Sequence, residues 1–341
     1  MCDGLLMGTI QQGAQGYSTA WLALILLGIL IILIGIWTLV TQPSLPTDKL
    51  PLDPAVKVDP TRLEFHVRKL SEEFFPRDET HPENLDRAAA YIRKEFEQVS
   101  EAVSYQSYEV QARIYHNVIA LFGPDTKERI VVGAHYDAFE ELPGADDNAS
   151  GVAGLIELAY LLRNTPLSMR VELVAYTLEE PPHFRTSNAG SAVHANSLKE
   201  AGIPVRIMLS LEMIGFFNDA ENSQGFPLSI LKLFYPTRGN FITVVGKLTQ
   251  GLTVRHVKHA MRRGSALPVY SINAPTFVPG IDWSDHLNYW KAGYTAVMIT
   301  DTSLNRNPNY HTANDTADTL DYERMAMVVQ GVYAAVVEFS Q

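Results

Sequence analysis

Apolar positions along the chain fall into regimes of different period. From Trp21 to Val40 every residue is apolar except two glycines and one threonine, a run of about 20 residues, the length that crosses the hydrocarbon core of a bilayer. No basic residue precedes it and no small-x-small cleavage site follows, so it reads as a transmembrane helix rather than a cleaved signal. Residues 1–20 then form a short N-terminal segment and residues 21–41 the anchor. Residues 42–60 carry Pro43, Pro46, Pro51, Pro54 and Pro60; proline at that density suits neither a helix nor a central strand, and the stretch reads as an extended tether. The remainder, 61–341, is expected to form one folded domain.

Within that domain the period switches repeatedly. Leu85, Ala88, Ala89, Ile92 and Phe96 recur at helical spacing after Pro82, which predicts an amphipathic helix over 83–99. Val152, Leu155, Ile156, Ala159 and Leu162 predict a second over 149–163, and 322–339 a third. Between them stand short unbroken apolar runs, 130–134, 171–178, 206–211 and 296–299, of the kind that form buried strands. Strands alternating with helices predict an α/β fold, a three-layer sandwich around a mostly parallel, mixed central sheet, preceded by the N-terminal transmembrane helix. In such sheets ligands sit beyond the carboxyl ends of the strands.

Composition narrows the chemistry. The formal net charge is −11, whereas phosphate neutralisation needs a surplus of Lys and Arg, so no nucleic-acid partner is expected. The basic patch Lys258–Arg263 reads as a solvated helix face. Cys2 is the single cysteine, which excludes internal disulfides and thiolate zinc sites. A metal here must be held by His, Asp and Glu.

Residues of that type follow the predicted strands. His135-Tyr136-Asp137 closes the first, where a histidine can ligate while an acid two positions on orients its ring. Gly144-Ala145-Asp146-Asp147-Asn148-Ala149-Ser150-Gly151 leads into the 149–163 helix; one of its polar residues can serve as an N-cap, yet two acids and an amide exceed what a cap needs. Glu179-Glu180 ends the strand 171–178 before Pro181-Pro182. Adjacent acids there repel and lose hydration, a conflict that a cation resolves. One of the pair can ligate while the other takes a proton from water. Glu212 follows the strand 206–211, and Tyr310-His311 lies in a loop beyond 296–299. Ser284-Asp285-His286, though it names a serine-protease triad, is too compact in sequence to converge as one, and reads as a pocket border or a capped helix start. His183, His194, His256 and His259 read as surface or satisfied core residues.

The succession His135, Asp147, Glu179-Glu180, Glu212 and His311 resembles the co-catalytic zinc aminopeptidases, the family that includes bacterial and vacuolar aminopeptidases and the related glutaminyl cyclases. Gly133-Ala134-His135-Tyr136-Asp137, Gly144–Gly151 and Glu179-Glu180 carry the resemblance, with Leu211–Gly215 and Tyr310-His311-Thr312 in support, over residues 60–341. It implies two zinc ions per chain: His135 and Glu212 on one, Glu180 and His311 on the other, and Asp147 between them. It further implies Glu179 as the general base acting on a metal-bridging water, Asp137 as the partner of His135, and Tyr310 as a donor to the developing oxyanion. The family can have a cis peptide bond at the place of Asp147-Asn148. Many of its members have Asp where this chain has Glu212, and a short glycine-containing turn where this chain has Pro181–Asn188, which reads either as a substrate-contacting lid or as a surface loop.

The expected protein is therefore a membrane-anchored zinc aminopeptidase that hydrolyses the N-terminal residue from peptides. It would sit in the bilayer through residues 21–40, single-pass, with the catalytic domain extracytoplasmic. The Lys and Arg distribution, with Lys49, Lys57 and Arg62 after the span, does not itself favour that orientation. The alternatives are a single-zinc glutaminyl cyclase and a non-catalytic tethered scaffold of the same fold.

Overall fold

The computed structural model describes residues 4–43 and 57–341, with the backbone alone over residues 4–20. The first helix, α1 (Gly4–Thr41), contains the expected span. Its stretch Trp21–Thr41 has a mean hydropathy of 3.0 over its most apolar window, none of which is buried. The N-terminal segment read separately from sequence continues the same helix from Gly4. Most of the proline-rich tether, residues 44–56, lies outside the described residues. Pro60 opens α2 (Pro60–Arg68), where its missing N–H costs nothing, and Asp59 caps it by accepting from the Thr61 amide at 2.9 Å.

Eight strands then form one sheet: β1 (Ala102–Val110), β2 (Arg113–Phe122), β3 (Arg129–His135), β4 (Arg170–Tyr176), β5 (Val205–Glu212), β6 (Ile242–Lys247), β7 (Val269–Ala274) and β8 (Ala296–Thr300). Their order is β1-β2-β4-β3-β5-β8-β6-β7. The centre, β4-β3-β5-β8, is parallel, and antiparallel pairs join β2 to β4 and β6 to β8. The helices are α3 (Pro82–Glu97), α4 (Gly151–Leu162), α5 (Gly190–Glu200), α6 (Gly251–Gly264), α7 (His286–Ala292) and α8 (Tyr322–Phe339).

Alternation along the strands builds two cores. Ile130, Val132 and Ala134 of β3 join a core with α3, α4, α6 and α8. Val131 of the same strand, with Met208 of β5, faces the other way into a core with α5 and α7. Opposite pleat faces thus each meet helices, the three-layer arrangement predicted from the runs.

Among the boundaries that differ from the sequence expectation, two lie beside the polar strand ends. β4 ends at Tyr176 rather than Leu178, because Leu178 takes φ 58° and the Thr177 carbonyl accepts from the Gly190 amide at 2.7 Å. The 149–163 helix starts at Gly151, since Asp147 (φ −103°, ψ 92°) and Asn148 (φ −130°, ψ 38°) interrupt the turn before it. The Asp147–Asn148 peptide bond is cis.

Candidate metal centre

The parallel centre brings the carboxyl ends of β3, β4, β5 and β8 to one edge, and the polar residues picked out from sequence meet there. His135 and Glu212 are the last residues of β3 and β5. Glu179 and Glu180 follow β4, and His311 comes from the loop after β8. Asp147 stands between the two histidines: its Oδ1 lies 3.5 Å from His135 Nε2 and its Oδ2 3.1 Å from His311 Nε2. Around His135 Nε2, Glu212 Oε2 is at 3.4 Å and Glu179 Oε2 at 4.0 Å. Glu180 Oε1 is 3.5 Å from His311 Nε2.

All these residues are buried except His311, which is partly exposed and stacks between Phe139 (4.1 Å between ring centroids) and Tyr310 (3.9 Å). Asp137 accepts from the Glu180 amide through Oδ2 at 3.0 Å, and its backbone carbonyl is 3.2 Å from His135 Nδ1, with Oδ1 at 3.5 Å. It thereby fixes both a histidine ring and the glutamate pair.

The electrostatics of these residues call for cations. Burial, then repulsion from neighbouring acids, pushes Glu180 up to about 7 and raises Glu179 and Glu212 despite the pull of His135. Burial works against the charged form of His311, but Asp147 and Glu180 outweigh it and hold the imidazolium up to about 10. His311 Nε2 is buried without a hydrogen-bond partner despite facing two carboxylates, and Asp137 Oδ1 is likewise unpartnered. Among the described residues, ligand atoms lie within 4.8 Å of one another in His135-Asp147-Glu212 and Asp147-Glu180-His311, which share Asp147, and in His135-Glu179-Glu180; such mixed sets of imidazole and carboxylate donors fit zinc.

Several residues that sequence reasoning passed over build the frame. Arg77 is wholly buried, and its guanidinium donates to the carbonyls of Leu70 (2.6 Å), Tyr136 (3.0 Å), Pro143 (2.9 Å) and Gly144 (2.9 Å). It pins the loop between His135 and Asp147. Asp315 accepts from the amides of Asp146 (2.9 Å) and Asp147 (3.1 Å). Asp146 does not point at the histidines; it accepts from the Gly215 amide (3.0 Å) and Asn307 Nδ2 (2.8 Å), joining the segments that carry Glu212 and His311. Asn148 accepts from the amides of Gly151 and Met213, both at 3.1 Å, and donates to Leu211 O at 2.9 Å; the N-cap position of α4 is Ser150, with no side-chain cap bond, so none of Asp146, Asp147 and Asn148 fills the capping role expected from sequence.

Tyr310 and Glu212 also line an open, mostly apolar cavity, together with Phe226, Leu231, Phe241, Ile281 and Met298. Burial and the surrounding carboxylates push the Tyr310 phenol up, so it stays a donor. Trp283 borders the cavity, whereas Ser284, Asp285 and His286 are all buried and bond elsewhere than as a triad: Ser284 Oγ lies 2.8 Å from Ser210 Oγ, and His286 Nε2 lies 2.8 Å from the Ile281 carbonyl. His183, in the loop 181–188, sits 2.8 Å from Glu79, and Arg185 pairs with Asp282. His194 meets Tyr289 Oη at 2.6 Å and His256 meets Glu338 at 2.8 Å.

Comparison with known proteins places the sequence and the fold. The sequence profile of Peptidase family M28 matches residues 117–336. A protein of Escherichia coli (strain K12), named as the uncharacterized protein YfbL, is 47% identical over 281 residues, 80% of this chain and 86% of its own length. A probable leucine aminopeptidase of Arthroderma otae is 25% identical over 230 residues; the match spans 63% of this chain and 55%, about half, of the fungal protein. Among solved structures, the Legionella pneumophila LapA aminopeptidase superposes with a TM-score of 0.67 at 20% identity, covering 87% of this chain and 77% of its own. The Bacteroides thetaiotaomicron glutaminyl cyclase superposes at 0.63 with 18% identity, covering 82% and 98%. At those identities the likeness is one of fold.

Proposed function

The chain belongs to Peptidase family M28 and is a peptidase; on that premise we propose that it is a membrane-anchored aminopeptidase holding two zinc ions. The observation that carries the reading is the placement of Asp147, whose two carboxylate oxygens face different histidines, His135 at 3.5 Å and His311 at 3.1 Å. His135 and Glu212 would hold one ion, Glu180 and His311 the other, with Asp147 shared. Bound zinc would supply Lewis-acid polarisation of the scissile carbonyl and lower the pKa of the attacking water.

The remaining work falls to the chain itself. Glu179 belongs to the cluster but stands farther from His135 Nε2, at 4.0 Å, than Glu212 and Asp147 do, at 3.4–3.5 Å. With its carboxyl raised by burial, it suits a group that takes a proton from water and returns it to the departing amine as the C–N bond breaks. Tyr310, kept protonated, donates to the oxyanion. Asp137 holds His135 and the backbone of Glu180 in register. The acidic floor receives the substrate's free amino group, and the cavity beside Glu212 and Tyr310 receives an apolar N-terminal side chain.

Helix α1 supports the anchor: its large apolar side chains, from Trp21 to Leu39, are exposed on every face, which water does not tolerate over that length. We assign it as a single span, residues 61–341 as the catalytic domain, and that domain to the extracytoplasmic side; protease digestion of the domain in intact cells checks the side, and full protection would reverse it. The catalytic assignment is tested with Glu179→Gln. Zinc content should stay unchanged while kcat falls by roughly 10²–10⁴-fold; wild-type kcat would remove Glu179 from the role of base.

A further inference from the structure

The end of the anchor is seated on the folded domain. Thr41 and Gln42 are buried, and Lys258 Nζ donates to the Thr41 carbonyl at 2.9 Å and to that of Gln42. Ser271 Oγ of β7 donates to the Thr41 carbonyl at 3.0 Å and is 2.9 Å from Gln42 Oε1. A lysine and a serine thus satisfy carbonyls that the C-terminus of α1 would otherwise leave open.

Two clefts flank this joint. On one side Leu248, Leu252 and Arg255 face Gly35, Thr38 and Leu39 of α1. On the other, Phe234, Tyr235 and Lys258 face Trp37 and Thr41. The domain therefore meets the anchor along Gly35–Thr41, about 9 Å of helix at 1.5 Å per residue. If the span from Trp21 to Thr41 crosses a hydrocarbon core about 30 Å thick, that stretch lies at the boundary between acyl chains and headgroups. The domain surfaces beside it lie at the same depth.

Those surfaces suit that depth. Leu252 is 85% exposed and Leu233 74%, with Leu228, Ile230 and Phe234 also exposed on the turn that holds Leu233. Six exposed large apolar side chains, counting Leu248, on the two turns that flank the anchor exceed the scatter expected of a water-facing surface. Exposed Lys232 and Arg255 stand among them in a chain of net charge −11, a local sign matched to lipid phosphates.

We infer that the turns 228–234 and 248–252 rest in the interfacial layer of an anionic bilayer, so that the domain lies against the membrane its anchor crosses. This rests on the reading of α1 as a membrane span. The consequence for activity follows from Leu231 and Tyr235, which belong to the same segment and line the apolar cavity, Tyr235 facing the anchor cleft as well. The lipid-facing turn is the outer side of a substrate-cavity wall. Substrates would accordingly be taken at the membrane surface, favouring peptides with an apolar N-terminal end that partition there.

The test uses the full chain with Cys2→Ser and one cysteine introduced at a time, Leu233→Cys, Leu252→Cys, Ile29→Cys in the anchor or Ser104→Cys on the far edge strand β1. Each is labelled with an environment-sensitive fluorophore and reconstituted in nanodiscs of anionic lipid with brominated acyl chains, its peptidase activity confirming the fold. Labels at 29, 233 and 252 should lose emission to the bromines, the latter two as groups about 5–10 Å below the headgroup boundary do, while 104 keeps its emission. Quenching at 29 with 233 and 252 as bright as 104 would overturn the inference and leave the anchor standing. No quenching at 29 would overturn the anchor and the inference together.

Discussion

Stripping the metal should make this protein lose stability as pH rises, and restoring zinc should offset the share of that loss that its ligand residues carry. The site and its frame hold acids that burial keeps protonated. Asp315 is the simplest: burial, with Asp146 beside it, lifts its carboxyl from 3.8 to about 7. An unfolded Asp ionises near about 3.9. Between those values the folded chain keeps a proton that the unfolded chain has released, so its contribution is complete below the lower value and lost as pH climbs through the upper. The slope for one such group is about 1.4 kcal/mol per pH unit, and about 4 kcal/mol over the interval. Glu180, raised to about 7, acts in the same direction. His311, held up to about 10, adds a loss of the same sign between about 6.5 and 10. Zinc binds carboxylates and neutral imidazole, so its stabilisation grows as Glu180 and His311 lose their protons, while the Asp315 loss, at a residue that accepts from backbone amides, stays in both curves. The assay is thermal unfolding of the full chain in detergent, followed by circular dichroism from about pH 5 to about pH 8, with chelator or with excess zinc. The chelated midpoint should fall and the gap between the curves widen. A chelated midpoint that is flat or rises from about pH 5 to about pH 7, with a gap that does not depend on pH, would refute the coupling.

Further predictions address the frame and the cavity. Arg77→Met leaves four carbonyls without their donor and should destabilise the chain by about 3–5 kcal/mol, read in denaturant unfolding; a change within experimental error would mean that the carbonyls find other donors. At Gly144, φ is +58° and a Cβ would stand 2.3 Å from the Asp147 carbonyl oxygen and 2.7 Å from Ala138 Cβ. Gly144→Ala should therefore lower zinc content as well as stability, and full zinc occupancy would show that Asp147 does not depend on this turn. If the cavity takes the N-terminal side chain, leucine anilide should exceed alanine anilide in kcat/KM by roughly 10–200-fold; equal values would place that side chain elsewhere.

Much of this site could be read along the chain because its residues cluster at strand ends. His135 and Glu212 each close a buried apolar run, and Glu179-Glu180 interrupts one, so polarity changes where the sheet edge lies. The hairpin of β1 and β2 left no such trace: its turn is Gln111-Ala112, with φ of 52° and 63° and none of the Asn-Gly chemistry that marks two-residue hairpins. Strand β1 also buries little of its length, so its apolar signal is faint. Arg77 and Asp315 were invisible for another reason. Each acts by hydrogen bonding to backbone from a distance of many residues, and neither a buried arginine nor a loop aspartate differs in sequence from a surface one. Asp146 shows the same limit: adjacent to Asp147 and of identical chemistry, it points elsewhere, and only the backbone between Gly144 and Gly151 decides which carboxylate faces the histidines.

The most direct test of the central reading is zinc content per chain of the purified full-length protein, measured alongside release of amino acids from N-terminal anilides and cyclisation of peptides beginning with glutamine. Two zinc ions with chelator-sensitive release is the predicted result. One zinc ion with cyclisation of glutamine and no release would contradict it.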